Sequence, residues 1–184
     1  QLGDRRAEAS SLHQLGTLAQ LTGDLQHALA LYEHSLRIDE ELGNVQGRAV
    51  SLNNLGNVYQ GGGDLYRALR LYEESADICG RIGDTRGRSS ALSNMGTTYA
   101  SLGRFDDAAA ALGESVSLLR EMGDTPPLGY ALMSNALVLM QMRNVTGAMA
   151  SLAESLAVFE RIGLDAPPQA RELLEQLSAA DKKV

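Results

Sequence analysis

Hydrophobic side chains in this sequence recur every three or four residues, in stretches separated by polar turns. Between residues 52 and 59 they fall at Leu52, Leu55 and Val58, and a second stretch with the same spacing runs from Leu65 to Ile78. This spacing places the apolar side chains on one side of a helix. The pattern therefore predicts a pair of amphipathic helices in this part of the chain.

The helix pair returns with a period of 40 residues, and a short motif marks each return. The motifs are Leu2-Gly3-Asp4, Leu42-Gly43-Asn44, Ile82-Gly83-Asp84, Met122-Gly123-Asp124 and a degraded Ile162-Gly163. Internal repeats of this length are typical of helical solenoids, in which each unit stacks on its neighbours. We expect one all-α domain, residues 1–184, with about nine helices: repeats 2–41, 42–81, 82–121 and 122–161, and a C-terminal capping helix at about 167–179.

Glycine stands next to aspartate or asparagine where the predicted helices end. Glycine supplies the positive φ that ends one helix, and the polar side chain caps the next. Gly23-Asp24 is such a pair, whereas Gly103 is followed by Arg104. Pro126-Pro127 and Pro167-Pro168 come just after turns, where a missing N–H has no helical acceptor to lose. Both proline pairs are therefore predicted to start helices.

Small residues occupy the same two positions of every repeat. The first position holds Gly16, Gly56, Gly96 and Ala136, and the second holds Ala28, Ala68, Ala108 and Ala148. Small side chains let two helices approach closely, and larger side chains fill the space that remains. The larger side chains predicted to fill it are Tyr32, Tyr72, Leu112 and Leu152.

These positions resemble the tetratricopeptide repeat consensus over nearly the whole chain: Leu52, Leu55-Gly56, Tyr59, Ala68, Tyr72 and Ser75, with their counterparts forty residues away. The resemblance implies a right-handed α-solenoid of helix-turn-helix repeats that binds peptides or helices on a concave surface and has no catalytic activity. The long period is similar to the subgroup seen in kinesin light chain, in Pins-type spindle-orientation adaptors and in bacterial regulators with a nucleotide-binding switch module. The stretch 47–57 reads most like the bacterial members.

The charge balance and the cysteine content narrow the range of partners and compartments. The formal net charge is −7, so no large positive field is available to attract nucleic acid or an anionic membrane. Cys79 is the one cysteine, and the sequence has no signal-peptide core or apolar run of spanning length. We expect a protein or peptide partner in the cytoplasm. Because the chain opens on Gln1 within a motif, we also expect a fragment of a longer protein.

Residues with catalytic or metal-binding chemistry are few. His27 and His34 are seven residues apart, which is about 10.5 Å along a helix and too far to share one metal ion. Cys79 has no histidine or basic residue in helical reach to activate it as a thiolate. The stretch 83–89 lacks the lysine and the preceding strand of a phosphate-binding loop. We predict a non-catalytic protein with no cofactor and no metal.

In a solenoid of this type, the first helices of successive repeats line the concave groove. The helical period predicts these partner-binding residues in the first three repeats: His13, Gln14, Thr17, Gln20, Asn53, Asn54, Asn57, Gln60, Ser93, Asn94 and Thr97. Most carry amides or hydroxyls, which donate and accept hydrogen bonds and so suit the backbone of an extended peptide. The alternative is that these side chains only contact solvent.

The fourth repeat is apolar at the same positions, Tyr130, Met133, Leu137 and Met140, and it contains five of the six methionines. Adaptable apolar side chains suit a hydrophobic anchor of a bound partner, and the capping helix is the alternative occupant. The predicted function is a protein-interaction module. Two alternatives remain open: a ligand- or peptide-sensing segment of a larger bacterial regulator, and a self-associating scaffold.

Overall fold

A computed structural model describes residues 2–123 and 125–181 of the chain, and these residues form helices joined by short turns. In chain order they are α1 (Leu2–Leu21), α2 (Leu25–Glu41), α3 (Val45–Gly61), α4 (Leu65–Ile82), α5 (Thr85–Ser101), α6 (Phe105–Glu121), α7 (Pro126–Gln141), α8 (Val145–Arg161) and α9 (Pro168–Asp181). Asp124 of the fourth motif lies outside the described residues. The part of the chain that is described contains no strand, which confirms the all-α class.

The described chain divides into two compact units, one up to Asn94 and one from Met95 on. Helix α5 begins in the first unit and ends in the second. The predicted organisation as a single domain stays a prediction, and each unit is described by itself below.

The turns use the predicted pairing of a glycine with a capping side chain. Asp24, Asp64 and Asn144 each accept a hydrogen bond from the backbone N–H three residues later, at 3.0 to 3.1 Å. Gly23, which precedes the first of these caps, has a φ of 82°. Arg143 takes the equivalent position before α8 with a φ of 59°, a conformation that costs a residue with a Cβ more than it costs glycine. The helix boundaries thus follow from the turn chemistry of each repeat.

In the first unit, the small positions bring the paired helices together as predicted. Gly56 of α3 faces the ring of Tyr72 of α4 so closely that an added Cβ would lie 2.5 Å from Tyr72 Cε1. Gly16 and Tyr32 make the same contact between α1 and α2. Both tyrosines are buried, with 0% and 1% of their surface exposed. The rings therefore belong to the core of each helix pair.

A buried serine links the two helices of a repeat. Ser75 Oγ donates a hydrogen bond to the Ala49 carbonyl at 2.8 Å, and Ser35 and Ser155 make equivalent bonds in their own repeats. A backbone carbonyl satisfies each buried hydroxyl, so a polar residue is accommodated within an otherwise apolar stripe. The bond also fixes how far one helix can slide along the other.

In the second unit, leucine takes the place of the core tyrosines. Gly96 faces Leu112, and an added Cβ would lie 2.5 Å from Leu112 Cγ. Helix α9 starts at Pro168, and its apolar side chains pack on the buried residues of the last repeat, Ala136, Ala148 and Leu152. The predicted capping helix is therefore present, and it covers part of the last helix pair.

Candidate functional site

Polar side chains line one side of α1, of α3 and of the start of α5 in the first unit. We call this set the first-helix surface, and each of its members is half-buried or exposed: His13, Gln14, Thr17, Gln20, Asn53, Asn54, Asn57, Gln60, Ser93 and Asn94. Thr97, which is half-buried, lies on the part of α5 that belongs to the second unit. The first unit thus carries ten of the predicted groove residues on its first helices, and their role in binding a partner stays a prediction.

The core tyrosines anchor part of this surface from below. The single O–H of Tyr72 is shared between two acceptors, Asn57 Oδ1 at 2.7 Å and Gln60 Oε1 at 2.9 Å. The Tyr32 hydroxyl has the same relation to Thr17 Oγ1, at 3.1 Å, and Gln20 Oε1, at 3.2 Å. Burial raises the pKa of Tyr72 and keeps its hydroxyl protonated as a donor. These amides thus have a structural role as well as an accessible side.

Amides also connect one repeat to the next. Asn94 Nδ2 donates to Asn53 Oδ1 at 3.1 Å and to Asn57 Oδ1 at 3.0 Å. Asn54 Nδ2 lies 3.2 Å from His13 Nε2, at the equivalent position one repeat earlier. Both links join residues 41 positions apart, so they form a regular ladder between first helices.

The ladder takes up part of the hydrogen-bonding capacity that the sequence assigned to a partner. Asn57 Oδ1 accepts from both Tyr72 and Asn94, so its acceptor is filled and its amino group is left to donate. Asn54 donates to His13 and keeps its carbonyl oxygen as an acceptor. An exposed residue beside them, Gln14, makes no side-chain hydrogen bond within the described residues. The surface therefore offers a fixed pattern of donors and acceptors.

His13 is the one ionisable group of the first-helix surface. Its ring lies beside that of Tyr32, with 5.5 Å between centroids. Burial lowers the pKa of His13, and the negative charge of Asp39 opposes that effect. A neutral imidazole has a ring nitrogen that accepts a hydrogen bond, which matches the amino group of Asn54.

The four apolar residues predicted for the fourth repeat lie on α7 in the second unit. Tyr130 and Leu137 are 52% and 43% exposed, whereas Met133 and Met140 are half-buried against the apolar side chains of α9. An open cleft of about 320 Å³, the α7–α9 cleft, remains beside Met133 and Leu137, and Leu173 of α9 forms its other wall. The capping helix thus covers part of the apolar surface and leaves part of it open.

The structure also bears on metal binding, on the thiol of Cys79 and on membrane spans. Among the described residues, no three histidine, cysteine or acidic side chains group closely enough to hold a metal ion. Cys79 is buried, and burial, the largest cause, raises the pKa of its thiol. No helix in the described part of the chain is long and apolar enough to cross a bilayer.

One residue that the sequence did not single out lies in a cleft beside this surface. Asp39, near the end of α2, is 4% exposed as a residue, and it borders a space between α1 and α3. A comparison of the repeats could have identified Asp39, because the residues 40, 80 and 120 positions later are the less polar Cys79, Leu119 and Phe159.

Two family models, both described as tetratricopeptide repeat, match residues 9–42 and 47–121, which together make up more than half of the chain. A comparison with curated proteins finds no match.

Several solved structures share the fold. TPR-like repeats of a putative kinesin light chain from Podosopora anserina have 20% identity and a TM-score of 0.74, with 97% of this chain and 96% of that chain covered. BtubC (BKLC) from P. vanneervenii has 19% identity and a TM-score of 0.75, with 86% of this chain and 66% of that chain covered. Aspartyl phosphate phosphatase F from Bacillus subtilis has 11% identity and a TM-score of 0.85, with 95% and 45% covered.

The chain thus spans less than two thirds of the length of the last two proteins, and at these identities the likeness is one of fold. Family models, repeat period and helix architecture agree. The chain belongs to the tetratricopeptide repeat family, in its long-repeat type.

Proposed function

We propose that this chain is a non-catalytic protein-interaction module that binds an extended segment of a partner protein on the first-helix surface. The proposal rests on the hydrogen bonding of the Asn54 and Asn57 side chains. Each amide is half-buried and held by internal hydrogen bonds, and each keeps a polar group that those bonds do not use. Asn54 offers an acceptor, and Asn57 offers donors.

The spacing of these two groups suits a peptide backbone. Residues three apart on a helix have Cβ atoms about 5–6 Å from each other. Along one edge of an extended peptide, equivalent backbone groups repeat every two residues, which is about 6.5–7 Å. One acceptor and one donor at this separation can therefore pair with the N–H and C=O groups of a bound strand, with little demand on its side chains.

The internal bonds also make binding less costly. A free asparagine side chain loses rotamer freedom when a partner immobilises it, at about 0.5–1.5 kcal/mol for each rotamer-rich side chain. Asn57 is already held by Tyr72 and Asn94, and Asn54 by His13. Their orientation is set before the partner arrives, which favours a binding role over simple contact with solvent.

The second unit offers a place for an apolar side chain of a partner. The α7–α9 cleft is bordered by Met133, Leu137 and Leu173, and its walls are mostly carbon. Flexible methionine side chains adapt to anchors of different shape. Membership of a family that is generally a non-catalytic scaffold supports the assignment to binding rather than catalysis.

The experiment begins with peptides selected from a random 12-residue display library on the intact chain. A selected peptide is titrated calorimetrically against the wild type and Asn54→Ala. Loss of one neutral hydrogen bond should weaken binding by about 0.5–1.5 kcal/mol, which is roughly twofold to twelvefold. Glu33→Ala on α2, an exposed position outside the surface, is the matched control and should bind like the wild type.

Equal affinity of Asn54→Ala and the wild type for every selected peptide would remove the first-helix surface as the binding site. Asn57→Ala is unsuitable for this test because it also removes an acceptor of the buried Tyr72 hydroxyl. Its effects on folding and on binding would be mixed.

Self-association is a second candidate, favoured by one observation on α1. Leu15 and Leu18 are 52% and 58% exposed, whereas Leu55 and Val58, the equivalent residues of α3, are each 4% exposed because α2 packs on them. A second copy of the chain can cover the same face of α1. If it does, the mass measured by light scattering should rise with concentration, and Leu18→Glu should abolish the rise. A constant monomer mass would exclude this candidate.

A further inference from the structure

The last turn of the second helix carries a buried residue in each repeat, and the first repeat differs from the others. The residues are Asp39, Cys79, Leu119 and Phe159, with exposures of 4%, 2%, 3% and 1%. Leu119 and Phe159 are apolar and Cys79 carries a thiol, whereas Asp39 carries a carboxylate. Moving an ionised carboxylate out of water is costly unless other groups compensate it. The fold itself therefore does not require a carboxylate at this position.

The groups around Asp39 compensate its charge incompletely. Asn44 Nδ2 donates to Asp39 Oδ1 at 2.7 Å. Within the described residues, Oδ2 accepts no hydrogen bond, and no ion pair joins Asp39 to His13 or to Arg6, although both of these residues also line the cleft. Burial favours the neutral form of His13. The carboxylate thus has one amide partner, and its second oxygen is open to the cleft rather than sealed in the core.

The carboxylate borders a cleft of about 290 Å³ that opens between two first helices. Ala9, Ser10 and His13 of α1 form one wall, and Gly47, Val50 and Ser51 of α3 form the other. A Cβ added to Gly47 would lie 2.4 Å from Asp39 Oδ1. The absence of a side chain at Gly47 therefore lets α3 pass close to the carboxylate.

The residues that line the cleft suit a side chain that has an aliphatic stem and a head with several N–H donors. Ala9 and Val50 present carbon to an aliphatic stem, and Val50 is 39% exposed near the mouth. Serine hydroxyls line the cleft beside the carboxylate and can accept further N–H groups. A guanidinium has five N–H donors in a plane and uses several acceptors at once, whereas an ammonium acts as a compact point charge.

We propose that this cleft binds the guanidinium of an arginine side chain in the partner segment, with the Asp39 carboxylate as its charged acceptor. The inference rests on the proposed function, because His13 belongs both to this cleft and to the first-helix surface. Arginine placed here pairs its guanidinium with the Asp39 carboxylate, and charge-assisted hydrogen bonds of this kind are the stronger class.

The test uses N-acetyl-arginine amide as the probe and N-acetyl-citrulline amide as its neutral isostere. Each is titrated into the intact ¹⁵N-labelled chain, and amide chemical shifts are followed by NMR. Only the arginine compound should shift the backbone signal of Gly47 and the side-chain signal of Asn44. Asp39→Asn, which retains an oxygen for Asn44, should bind the probe about tenfold more weakly or not detectably.

Glu33→Gln removes an exposed carboxylate of the same chain and is the matched control; it should bind the probe like the wild type. Unfolding of Asp39→Asn distinguishes a binding carboxylate from a structural one, and the variant should be at least as stable as the wild type. Equal binding of the citrulline compound, equal binding by Asp39→Asn, or a lower midpoint of unfolding for that variant would each overturn the inference.

The probe also separates this inference from the proposed function. If selected peptides bind the wild type and depend on Asn54 while the arginine probe gives no shift at Gly47, the cleft is not an arginine site and the first-helix surface stands. If the probe shifts Gly47 while Asn54→Ala leaves peptide binding unchanged, the cleft is a binding site and the amide surface is not.

Discussion

Replacing Gly56 with alanine tests the closest helix contact of the first unit. The new methyl carbon would lie 2.5 Å from Tyr72 Cε1, 2.7 Å from Cδ1 and 2.9 Å from Cζ. Carbon atoms in contact are normally about 3.5–4.0 Å apart. The ring is fully buried and its hydroxyl is held by Asn57 and Gln60, so it has little room to move away. We therefore expect the helix pair to separate or the ring to leave its rotamer.

The magnitude follows from three terms. Alanine is favoured over glycine in a helix interior by about 0.8–1 kcal/mol. Overpacking of a core costs about 1–3 kcal/mol, and a weakened tyrosine hydrogen bond adds about 0.5–1.5 kcal/mol. The steric and hydrogen-bond costs exceed the helix propensity, so Gly56→Ala should destabilise the fold by about 1–3 kcal/mol.

Urea unfolding followed by circular dichroism measures this change, and Gly113→Ala is the matched control. Gly113 lies within α6, and a Cβ there would meet no atom within 4 Å. The same substitution should therefore stabilise the chain by about 0.5–1 kcal/mol. A stabilising effect at both positions would refute the view that Tyr72 restricts the space at Gly56.

A second variant tests the steric cause directly. In the last repeat, Ala136 and Leu152 occupy the positions of Gly56 and Tyr72, and both are completely buried. Gly56→Ala should cost less in a Tyr72→Leu background than in the wild type, because a branched aliphatic side chain replaces the fixed ring. Equal costs in the two backgrounds would place the strain elsewhere.

Three further outcomes follow from individual residues. Arg143→Gly should stabilise the chain by about 0.5–1 kcal/mol in urea unfolding, because glycine tolerates the positive φ at this turn; a loss of stability would contradict this reading. Burial lowers the pKa of folded His13, so between pH 7 and pH 5 the unfolded state binds the proton more readily than the folded state. Lowering the pH from 7 to 5 should therefore destabilise the wild type more than it destabilises His13→Gln. Cys79 is buried and burial raises its pKa, so a thiol reagent at pH 8 should label it slowly until denaturant opens the fold, and fast labelling of the native chain would contradict the buried position.

The fold could be predicted from the sequence because each feature occurs several times at a fixed interval. The predicted capping helix, about 167–179, corresponds to α9 at Pro168–Asp181, and both Pro126 and Pro168 begin helices. The contact of Gly56 with Tyr72 was predicted from the small positions alone. A register error in one repeat would have conflicted with the glycines and alanines of the other three.

The details of the candidate site could not be predicted in the same way. Periodicity identifies the helix face on which Asn57 lies, but the bonds that Asn57 makes depend on distances to another helix and to the next repeat. The sequence treated its amide as available to a partner, whereas Tyr72 and Asn94 both use its oxygen. Likewise, the extent to which α9 covers Met133 depends on how α9 packs, which side-chain pattern alone does not determine.

Departures from the repeat are informative because the other repeats provide a reference in the same fold. Arg143 stands where the equivalent turns of the other repeats have glycine, which suits the positive φ better. Asp39 stands where the other repeats have cysteine, leucine or phenylalanine, which suit a buried position better. Arg143 is exposed at a turn, and nothing in the structure explains why it stands there in place of glycine. Asp39 is buried beside an open cleft with one carboxylate oxygen that no described residue satisfies. A guanidinium bound in the cleft would use that oxygen, so this departure favours the binding role that we propose for the cleft.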